Sequence, residues 1–309
     1  MISPVFCKIL VEVAYSGNIT AAAEKMNYSQ GALSHAIKRT EEEIGFKIFK
    51  RSKYGVTVTT EGMALIPLAK KIVEYSEKFD ETVASLQGLD YGHIKIGTYA
   101  TMSMQFLPEV LKSFTEAYPG IQVELIEGSA NEIATWLNEQ FIDIAITSIK
   151  KSDTFEKLFL FDEALWALFP LDIYPPLNSD GSFNISDFGN YNFITPMMDK
   201  RIDPDMLPAI EAIPSHMRMH VSSCDFISIM CLIRSRLGVS LLPSLVSTDY
   251  RDKLNTYYTN PQFYRSIGLG VRSFDESSMA AKKFIEYIKT YTDTIFIPSN
   301  IENGVRIHT

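Results

Sequence analysis

The chain of 309 residues has an ordinary globular composition and a formal net charge of −8. Its length predicts two or three compact units, and its charge argues against attraction of the whole molecule to nucleic acid. The charge is unevenly distributed, because residues 1–60 hold eight basic and five acidic side chains and so carry +3, which leaves −11 for the rest. A basic module joined to an acidic body is typical of a domain that binds a polyanion.

The N-terminal segment MISPVFCKILVEVAYSG has no basic leader, long apolar core or cleavage site, so it predicts a folded helix rather than a secretory signal. No apolar run in the sequence is long enough to cross a bilayer. The three cysteines leave an odd thiol under any pairing, which suits a reducing compartment. We therefore expect a cytoplasmic protein with no membrane partner.

Three helix signals follow one another closely at the N-terminus. Ser3 and Pro4 predict the start of a first helix, and Asn18 predicts the cap of a short second one. Ser29 can cap a third helix, which Gly45 ends. The next stretch, FKIFKRSKYGVTVTT, alternates like a β-hairpin. Three helices followed by a two-stranded wing predict a winged helix-turn-helix domain.

The third helix and the wing carry the candidate DNA contacts. Only a helix or a β-ribbon fits the major groove, and Gln30 is placed to contact a base edge there. Lys38 and Arg39 suit phosphate contacts, as do the basic residues of the wing, which would add affinity without much sequence preference. A solvated, charged helix face is the alternative interpretation. The predicted DNA-binding residues are Ser29, Gln30, Ser34, His35, Lys38, Arg39, Arg51 and Lys53.

Residues 60–89 predict one long linker helix with an apolar stripe and a charged side. A stripe of this length requires a partner. A second copy of the same helix would make a dimer that holds two DNA-binding domains at a set separation. Packing of the helix against the rest of its own chain is the competing interpretation.

From about residue 90 the pattern alternates between strands and helices, which predicts parallel sheets covered by helices. A second unit of the same type is expected to start near EALWALFP, and RSIGLGVR is expected to return to the first. Two lobes joined by crossovers place a ligand cleft between them. The expected bounds are 1–59 for the winged helix-turn-helix, 60–89 for the linker helix, 90–297 for the two-lobed α/β domain (lobe I about 90–163 and 265–297, lobe II about 164–264) and 298–309 for an irregular tail.

With these pieces in place, the sequence resembles the LysR-type transcriptional regulators over essentially its full length. The stretch NITAAAEKMNYSQGALSHAIKRTEEEIGFKIFKRSKYGVTVTTEG is similar to the N-terminal signature of that family without gaps. LPEVLKSFTEAYPGIQVELIEG, IDIAIT and LGVSLLP resemble recurrent phrases of its effector-binding domain. The resemblance implies a periplasmic-binding-protein-like fold for the two lobes.

The resemblance also implies partners. They are double-stranded promoter DNA, a small-molecule effector in the cleft, further copies of the chain as a dimer or tetramer, and the transcription machinery, with activation and repression both open. The positions that match family effector sites are Thr98, Tyr99, Thr101, Ser129, Thr147, Thr195 and Ser223.

Two of these positions also make sense from the residues alone. Thr101 and Ser129 lie at or near predicted helix starts, where hydroxyl groups and unpaired backbone N–H groups suit a carboxylate or similar anion. An anionic effector is therefore one option. Ordinary helix capping by serine and threonine is the other explanation.

Other classes of protein find less support. The sequence has no phosphate loop, nucleophile elbow or metal-ligand spacing, so we expect neither an enzyme nor a cofactor. A stand-alone solute-binding protein would share the two lobes but would not need the basic N-terminal domain. A thiol-redox regulator would need reactive cysteines, and Cys224 and Cys231 are seven residues apart on one predicted helix, too far to bridge.

Overall fold

The computed structural model forms two compact units, residues 1–89 and 90–309. We name them by the roles expected from the sequence, the DNA-binding unit and the effector unit. The described residues are 3–52, 55–86, 90–150, 153–196, 204–214, 219–221, 226–246 and 252–306.

The DNA-binding unit is a helical domain with a two-stranded wing and a long C-terminal helix. Ser3, Asn18 and Ser29 each accept a hydrogen bond from the first turn of the helix they precede. Gly17 and Gly45 end the first and third helices in the left-handed conformation, with φ of 60° and 84°. The elements are α1 (Pro4–Ser16), α2 (Ile19–Lys25), α3 (Gln30–Ile44), β1 (Phe49–Ser52), β2 (Gly55–Val58) and α4 (Thr60–Leu86).

The core of this unit lies where α1, α2 and α3 meet the start of α4. Val13, Ala22, Leu33 and Ile48 are buried there, and the small side chain at Ala22 lets the helices approach closely. Strands β1 and β2 form the antiparallel wing predicted from the sequence.

Helix α4 buries one side against this core and leaves another side exposed. Ala69 is buried in the core, while Tyr75 and Phe79 are 68% and 69% exposed. The exposed apolar residues recur at spacings of three or four, so they form one stripe along the helix. This α4 stripe consists of Leu68, Ile72, Tyr75, Phe79, Val83 and Leu86.

The effector unit is an α/β structure with two lobes. The sheet of lobe I has the strand order β4-β3-β5-β12-β6, and lobe II is built around the second half of β6 with β10, β11 and β7. The strands are β3 (Gly92–Thr98), β4 (Ile121–Glu127), β5 (Ile144–Ser148), β6 (Glu156–Pro170), β7 (Phe183–Asn184), β8 (Ile194–Pro196), β9 (Met219–Val221), β10 (Ser240–Pro243), β11 (Leu254–Asn260), β12 (Tyr264–Val271) and β13 (Val305–Arg306). The helices are α5 (Ala100–Gln105), α6 (Leu107–Ala117), α7 (Ala130–Asn138), α8 (Leu207–Glu211), α9 (Phe226–Arg234), α10 (Met279–Tyr291) and α11 (Ile297–Asn300).

Strand β6 runs through both lobes without a break. Its residues up to Ala164 pair with β12 of lobe I, and from Leu165 onward they pair with β10 and β11 of lobe II. The segment EALWALFP, where a second unit is expected to start, is the second half of a strand that begins at Glu156, and the change of partners from lobe I to lobe II falls within it. Fifteen residues are enough for one strand to belong to two sheets.

The chain beyond residue 297 also differs from the sequence-based expectation of an irregular tail. Helix α11 continues to Asn300, and β13 then pairs antiparallel with β6 at the crossing between the lobes, with Val305 opposite Glu163. Val305 is buried, and the Arg306 guanidinium lies 3.5 Å from the centre of the Tyr264 ring. We call residues 297–306 the C-terminal strap.

No helix in the described part of the chain is long and apolar enough to cross a membrane.

Candidate DNA-binding surface and effector cleft

Helix α3 presents the predicted base-reading residues. Ser29 caps it by accepting a hydrogen bond from the Ala32 N–H at 3.2 Å, so that hydroxyl oxygen is engaged in the cap. Gln30 and His35 are exposed, and Ser34 is half-buried at the edge of the same side. The opposite side carries Leu33 and Ile37 into the core. The sequence thus folds this segment into a helix with one free polar side.

Lys38 and Arg39 lie exposed on α3, and each has an acidic neighbour one turn further on. The Lys38 Nζ lies 3.7 Å from a Glu42 oxygen, and the Arg39 Nε donates to Glu43 at 3.0 Å. Such exposed pairs contribute little to stability and exchange readily for other partners. Both cations therefore stay accessible to phosphate.

Arg51 of the wing contacts helix α3. It lies on β1, and its Nη1 donates a hydrogen bond of 2.8 Å to the Ser34 Oγ on α3. Two of the predicted DNA-binding residues are thus joined directly to each other. Lys53 lies outside the described residues.

Glu41 was not singled out from the sequence, yet it holds the wing on α3. Its buried carboxylate accepts hydrogen bonds from the backbone N–H groups of Ile48 and Phe49 and from Lys47, at 2.9, 3.1 and 2.8 Å. Burial alone would raise the pKa of Glu41, but these hydrogen bonds outweigh it and hold that pKa below its ordinary value. Its position in the apolar series Leu33, Ile37, Glu41 is the signal that would have found it.

In lobe I, the predicted effector residues gather at one edge of the sheet. Strands β3, β4 and β5 are parallel, and Thr98 pairs with Glu127 on one side and Ile146 on the other. The carboxyl ends of the three strands therefore meet, bringing together the segments that carry Thr98, Ser129 and Thr147. The Thr98 hydroxyl is buried and donates to the Ile146 carbonyl oxygen at 2.9 Å, which uses its hydrogen internally.

The other predicted effector residues differ in solvent exposure and in their hydrogen bonds. Ser129 forms a capping box with Glu132 at the start of α7, as the helix-cap interpretation expects. Tyr99 is half-buried, and Thr147 is buried in β5. In lobe II, Thr195 is buried in β8, which runs parallel to β9. Ser223 lies outside the described residues.

A buried ion pair lies at the crossing between the lobes. Arg265 of β12 is 1% exposed and Glu163 of β6 is 0% exposed, and the guanidinium donates to a Glu163 carboxylate oxygen at 2.7 Å. Glu163 also accepts from the Leu245 N–H of lobe II at 2.9 Å, and the Arg265 Nη2 donates to the Thr101 hydroxyl of lobe I at 3.2 Å. One hydrogen-bonded chain thus joins both lobes to Thr101.

The sequence contains a signal for this pair in the neighbours of Arg265. Arg265 occupies the same face of β12 as Ile267, Leu269 and Val271, because side chains of a strand alternate between faces. An arginine in an inward-facing apolar series requires a buried acidic partner. Glu163, within the apolar strand β6, is that partner.

A winged helix-turn-helix and a two-lobed α/β domain in one chain define the class of a DNA-binding regulator with a ligand-binding domain. Residues 7–63 match the family model described as bacterial regulatory helix-turn-helix protein, lysR family, and residues 87–293 match the LysR substrate binding domain. The chain therefore belongs to the LysR family, and it is a DNA-binding transcriptional regulator with an effector-binding domain.

Known proteins resemble it over most of its length. An uncharacterized HTH-type transcriptional regulator of Bacillus subtilis (strain 168), YvbU, is 28% identical over 285 residues, which are 91% of this chain and 96% of that protein. A full-length variant of OxyR from Pseudomonas aeruginosa superposes with a TM-score of 0.72 at 21% identity, over 95% of this chain and 98% of that one. Full-length CbnR complexed with its target DNA gives a TM-score of 0.54 at 18% identity, over 94% and 100% of the two chains. At such identities the two structures show a shared fold.

Proposed function

We propose that this regulator binds double-stranded promoter DNA in the cytoplasm as a homo-oligomer, and that a small molecule between the two lobes changes those contacts. The observation that carries the proposal is the exposed side of α3 with Arg51 of the wing hydrogen-bonded to it. This surface presents polar and basic groups of the kind that contact base edges and phosphates. Its DNA contacts are Ser29, Gln30, Ser34, His35, Lys38, Arg39, Arg51 and Lys53.

The α4 stripe supports association of two copies. Its apolar side chains are exposed along about five turns of one helix, and an equal stripe on a second copy would cover them. Changing Tyr75 and Phe79 to glutamate would place charges in that interface, so sedimentation should show a smaller species. An unchanged sedimentation coefficient would exclude α4 as the contact between copies.

Thr101 supports a ligand that carries a hydrogen-bond acceptor. Its hydroxyl oxygen accepts from Arg265, and within the described part of the chain its own hydrogen is donated to no group. That hydrogen is therefore available to a carboxylate or carbonyl oxygen of an effector. Arg265 itself adds little attraction for an anion, because Glu163 neutralises it. We propose Thr98, Tyr99, Thr101, Ser129, Thr147, Thr195 and Ser223 as the surroundings of this ligand.

The proposal assigns no catalytic role to the chain, and the change in transcription would come from contacts with the transcription machinery. Purified protein would be mixed with sheared DNA of the source genome at two salt concentrations, and bound fragments would be sequenced. Enrichment of a few intergenic fragments that share a two-fold repeated motif is expected. No enrichment at either salt concentration would contradict the DNA-binding part.

A second experiment tests the cleft. Thr101→Val keeps the shape of the side chain and removes the hydroxyl. The variant should bind DNA with unchanged affinity when no effector is present. Adding cell extract that contains the effector should no longer change that affinity. Thr135→Val is the matched control, because among the described residues the hydroxyl of that exposed threonine donates only to the Asn131 carbonyl oxygen within α7. Equal loss of response in both variants would contradict the role of Thr101.

A further inference from the structure

The position of Arg51 follows from how the wing is attached to α3. The Glu41 carboxylate holds the N–H groups of Ile48 and Phe49, which fixes the start of β1 against the helix. Side chains alternate along a strand, so Arg51 shares the side of the buried Phe49, whereas Lys50 points to the other side. Arg51 is therefore directed over α3 and away from the solvent side of the wing.

Ser34 is the residue of α3 that Arg51 meets there. Ser34 precedes Glu41 by seven residues, or about two helical turns and 10 Å, so both lie on the side of α3 that β1 follows. The Arg51 Nη1 donates to the Ser34 Oγ at 2.8 Å. Among the described residues no carboxylate pairs with Arg51. The guanidinium keeps its positive charge and its other N–H groups for an outside partner.

The direction of this hydrogen bond determines what Ser34 can do. A guanidinium can only donate, so the Ser34 oxygen accepts and its own hydrogen must point elsewhere. Serine inside a helix often donates to the carbonyl oxygen four residues earlier, as Ser113 does to Glu109 at 3.0 Å. In the described part of the DNA-binding unit, the Ser34 hydroxyl donates to no such group. It is left as a donor beside a cation.

We propose that Arg51 and Ser34 act on DNA as one recognition element, in which Ser34 holds the Arg51 guanidinium on the α3 surface and both side chains donate to neighbouring acceptors of the DNA. This inference rests on the proposed DNA-binding function. The acceptors are either the N7 and O6 atoms of a guanine in the major groove or the oxygens of a phosphate, since both suit a planar guanidinium. Arg51 is then part of the helix surface rather than an independent contact of the wing.

A double-mutant cycle tests the coupling. Full-length protein with Ser34→Ala, Arg51→Gln or both changes would be titrated with the duplex most enriched by the unaltered protein. If the two residues form one element, each single change weakens binding about tenfold, and the double change weakens it about tenfold rather than about a hundredfold. The matched control combines Ser34→Ala with Arg39→Gln, because Arg39 pairs with Glu43 and not with Ser34, so those effects should multiply.

Two further measurements distinguish guanine from phosphate. With a guanine contact, Arg51→Gln lowers affinity for the enriched duplex but barely for an unrelated one, and replacing that guanine by 7-deazaguanine removes the difference. With a phosphate contact, both duplexes lose affinity alike, and the slope of log affinity against log salt falls by about one. Arg51→Lys keeps the charge without the fork, so it should retain the salt slope and lose the coupling.

The outcomes separate this inference from the function it rests on. If the unaltered protein binds no duplex, both are overturned. If it binds its duplex and the Ser34 and Arg51 effects multiply as the control pair does, only the inference is overturned. Circular dichroism of each variant checks that the helices are intact. If Arg51→Gln loses helix while Arg51→Lys binds DNA with unchanged affinity, Arg51 has a merely structural role, and the inference is overturned in that case too.

Discussion

Each unit of this protein contains an arginine that donates a hydrogen bond to a hydroxyl group, but the surroundings of the two arginines differ. Arg51 is exposed beside Ser34, with no acidic partner among the described residues, whereas Arg265 is buried beside Thr101 and paired with Glu163. DNA is a polyanion, so an arginine that binds it must keep its charge uncompensated. A buried arginine must be neutralised. A guanidinium and a hydroxyl group can therefore recognise DNA on the surface and hold the fold together in the interior.

The largest effect should come from removing the acidic partner of the buried arginine. Glu163→Gln leaves the Arg265 guanidinium uncompensated, so the unfolding free energy of the effector unit should fall by about 3–5 kcal/mol. Urea unfolding followed by tryptophan fluorescence measures this unit selectively, because both tryptophans of the chain, Trp136 and Trp166, lie in it.

The control for Glu163→Gln replaces both charged residues. Glu163→Leu combined with Arg265→Met fills a similar volume without any buried charge and should restore most of the lost stability. A single variant as stable as the unaltered chain, or a double variant less stable than the single one, would contradict the idea that the buried charge dominates.

A smaller effect is expected at Glu41, which fixes the wing that carries Arg51. Glu41→Ala leaves the N–H groups of Ile48 and Phe49 without their acceptor, which should cost about 1–3 kcal/mol in the DNA-binding unit. Far-ultraviolet circular dichroism during urea unfolding measures the loss, and the tryptophan transition should not move. Glu43→Ala is the matched control and should change little; equal losses in the two variants would contradict the assigned role.

The lowered pKa of Glu41 also predicts how stability depends on pH. A carboxyl group whose folded-state pKa is depressed stabilises the fold above its unfolded value, here 4.5, and loses that contribution as pH falls through the folded value. The stability difference between the unaltered chain and Glu41→Gln should therefore be constant above about pH 5 and shrink below it. A difference that stayed constant down to pH 3 would contradict the ionised hydrogen-bonded state.

The C-terminal strap pairs with β6 at the buried ion pair, where Val305 lies opposite Glu163. Gly304 precedes it with φ of +79°, and an added Cβ would lie 2.7 Å from the Ala164 Cβ. Gly181 has φ of +82° with open space around it, so Gly181→Ala measures backbone strain alone. We expect Gly304→Ala to cost about 1–2 kcal/mol more than Gly181→Ala in tryptophan-monitored unfolding. Equal losses of unfolding free energy in the two variants would show that the close approach of Gly304 to β6 has no energetic effect.

The smallest effect on stability is expected from Arg51→Gln, which removes one exposed hydrogen bond. The DNA-binding unit should lose no more than about 0.5 kcal/mol, by circular dichroism in urea. This is the most direct test of the comparison between the two arginines. A loss of several kcal/mol would place Arg51 in the same structural role as Arg265.

Local signals made much of the fold predictable. Ser3, Asn18 and Ser29 cap helices and Gly17 and Gly45 end them, as the sequence indicates, because capping depends on residues within one turn. The alternation of strands and helices likewise predicted the parallel arrangement of β3, β4 and β5.

Contacts between distant residues were not predictable in this way. The alternation of Arg265 with buried apolar residues indicates that it needs an acidic partner, but Glu163 is 102 positions away, and no local pattern identifies it as that partner. The strap was expected to be irregular because Val305 and Arg306 form too short a strand to show alternation, and only pairing with β6 orders them. The sequence places Arg51 among the basic residues of the wing but does not predict its hydrogen bond to Ser34, because that bond depends on how β1 is attached to α3.

The position of β12 between β5 and β6 has a consequence for synthesis of the chain. A ribosome completes β6 at Pro170 and must then add all of lobe II before β12 begins at Tyr264. At roughly 5–20 residues per second this interval lasts about 5–20 s, during which β5 and the first half of β6 are open strand edges facing a missing neighbour. Lobe I, whose first strands are synthesised earliest, is therefore the lobe whose sheet is completed last.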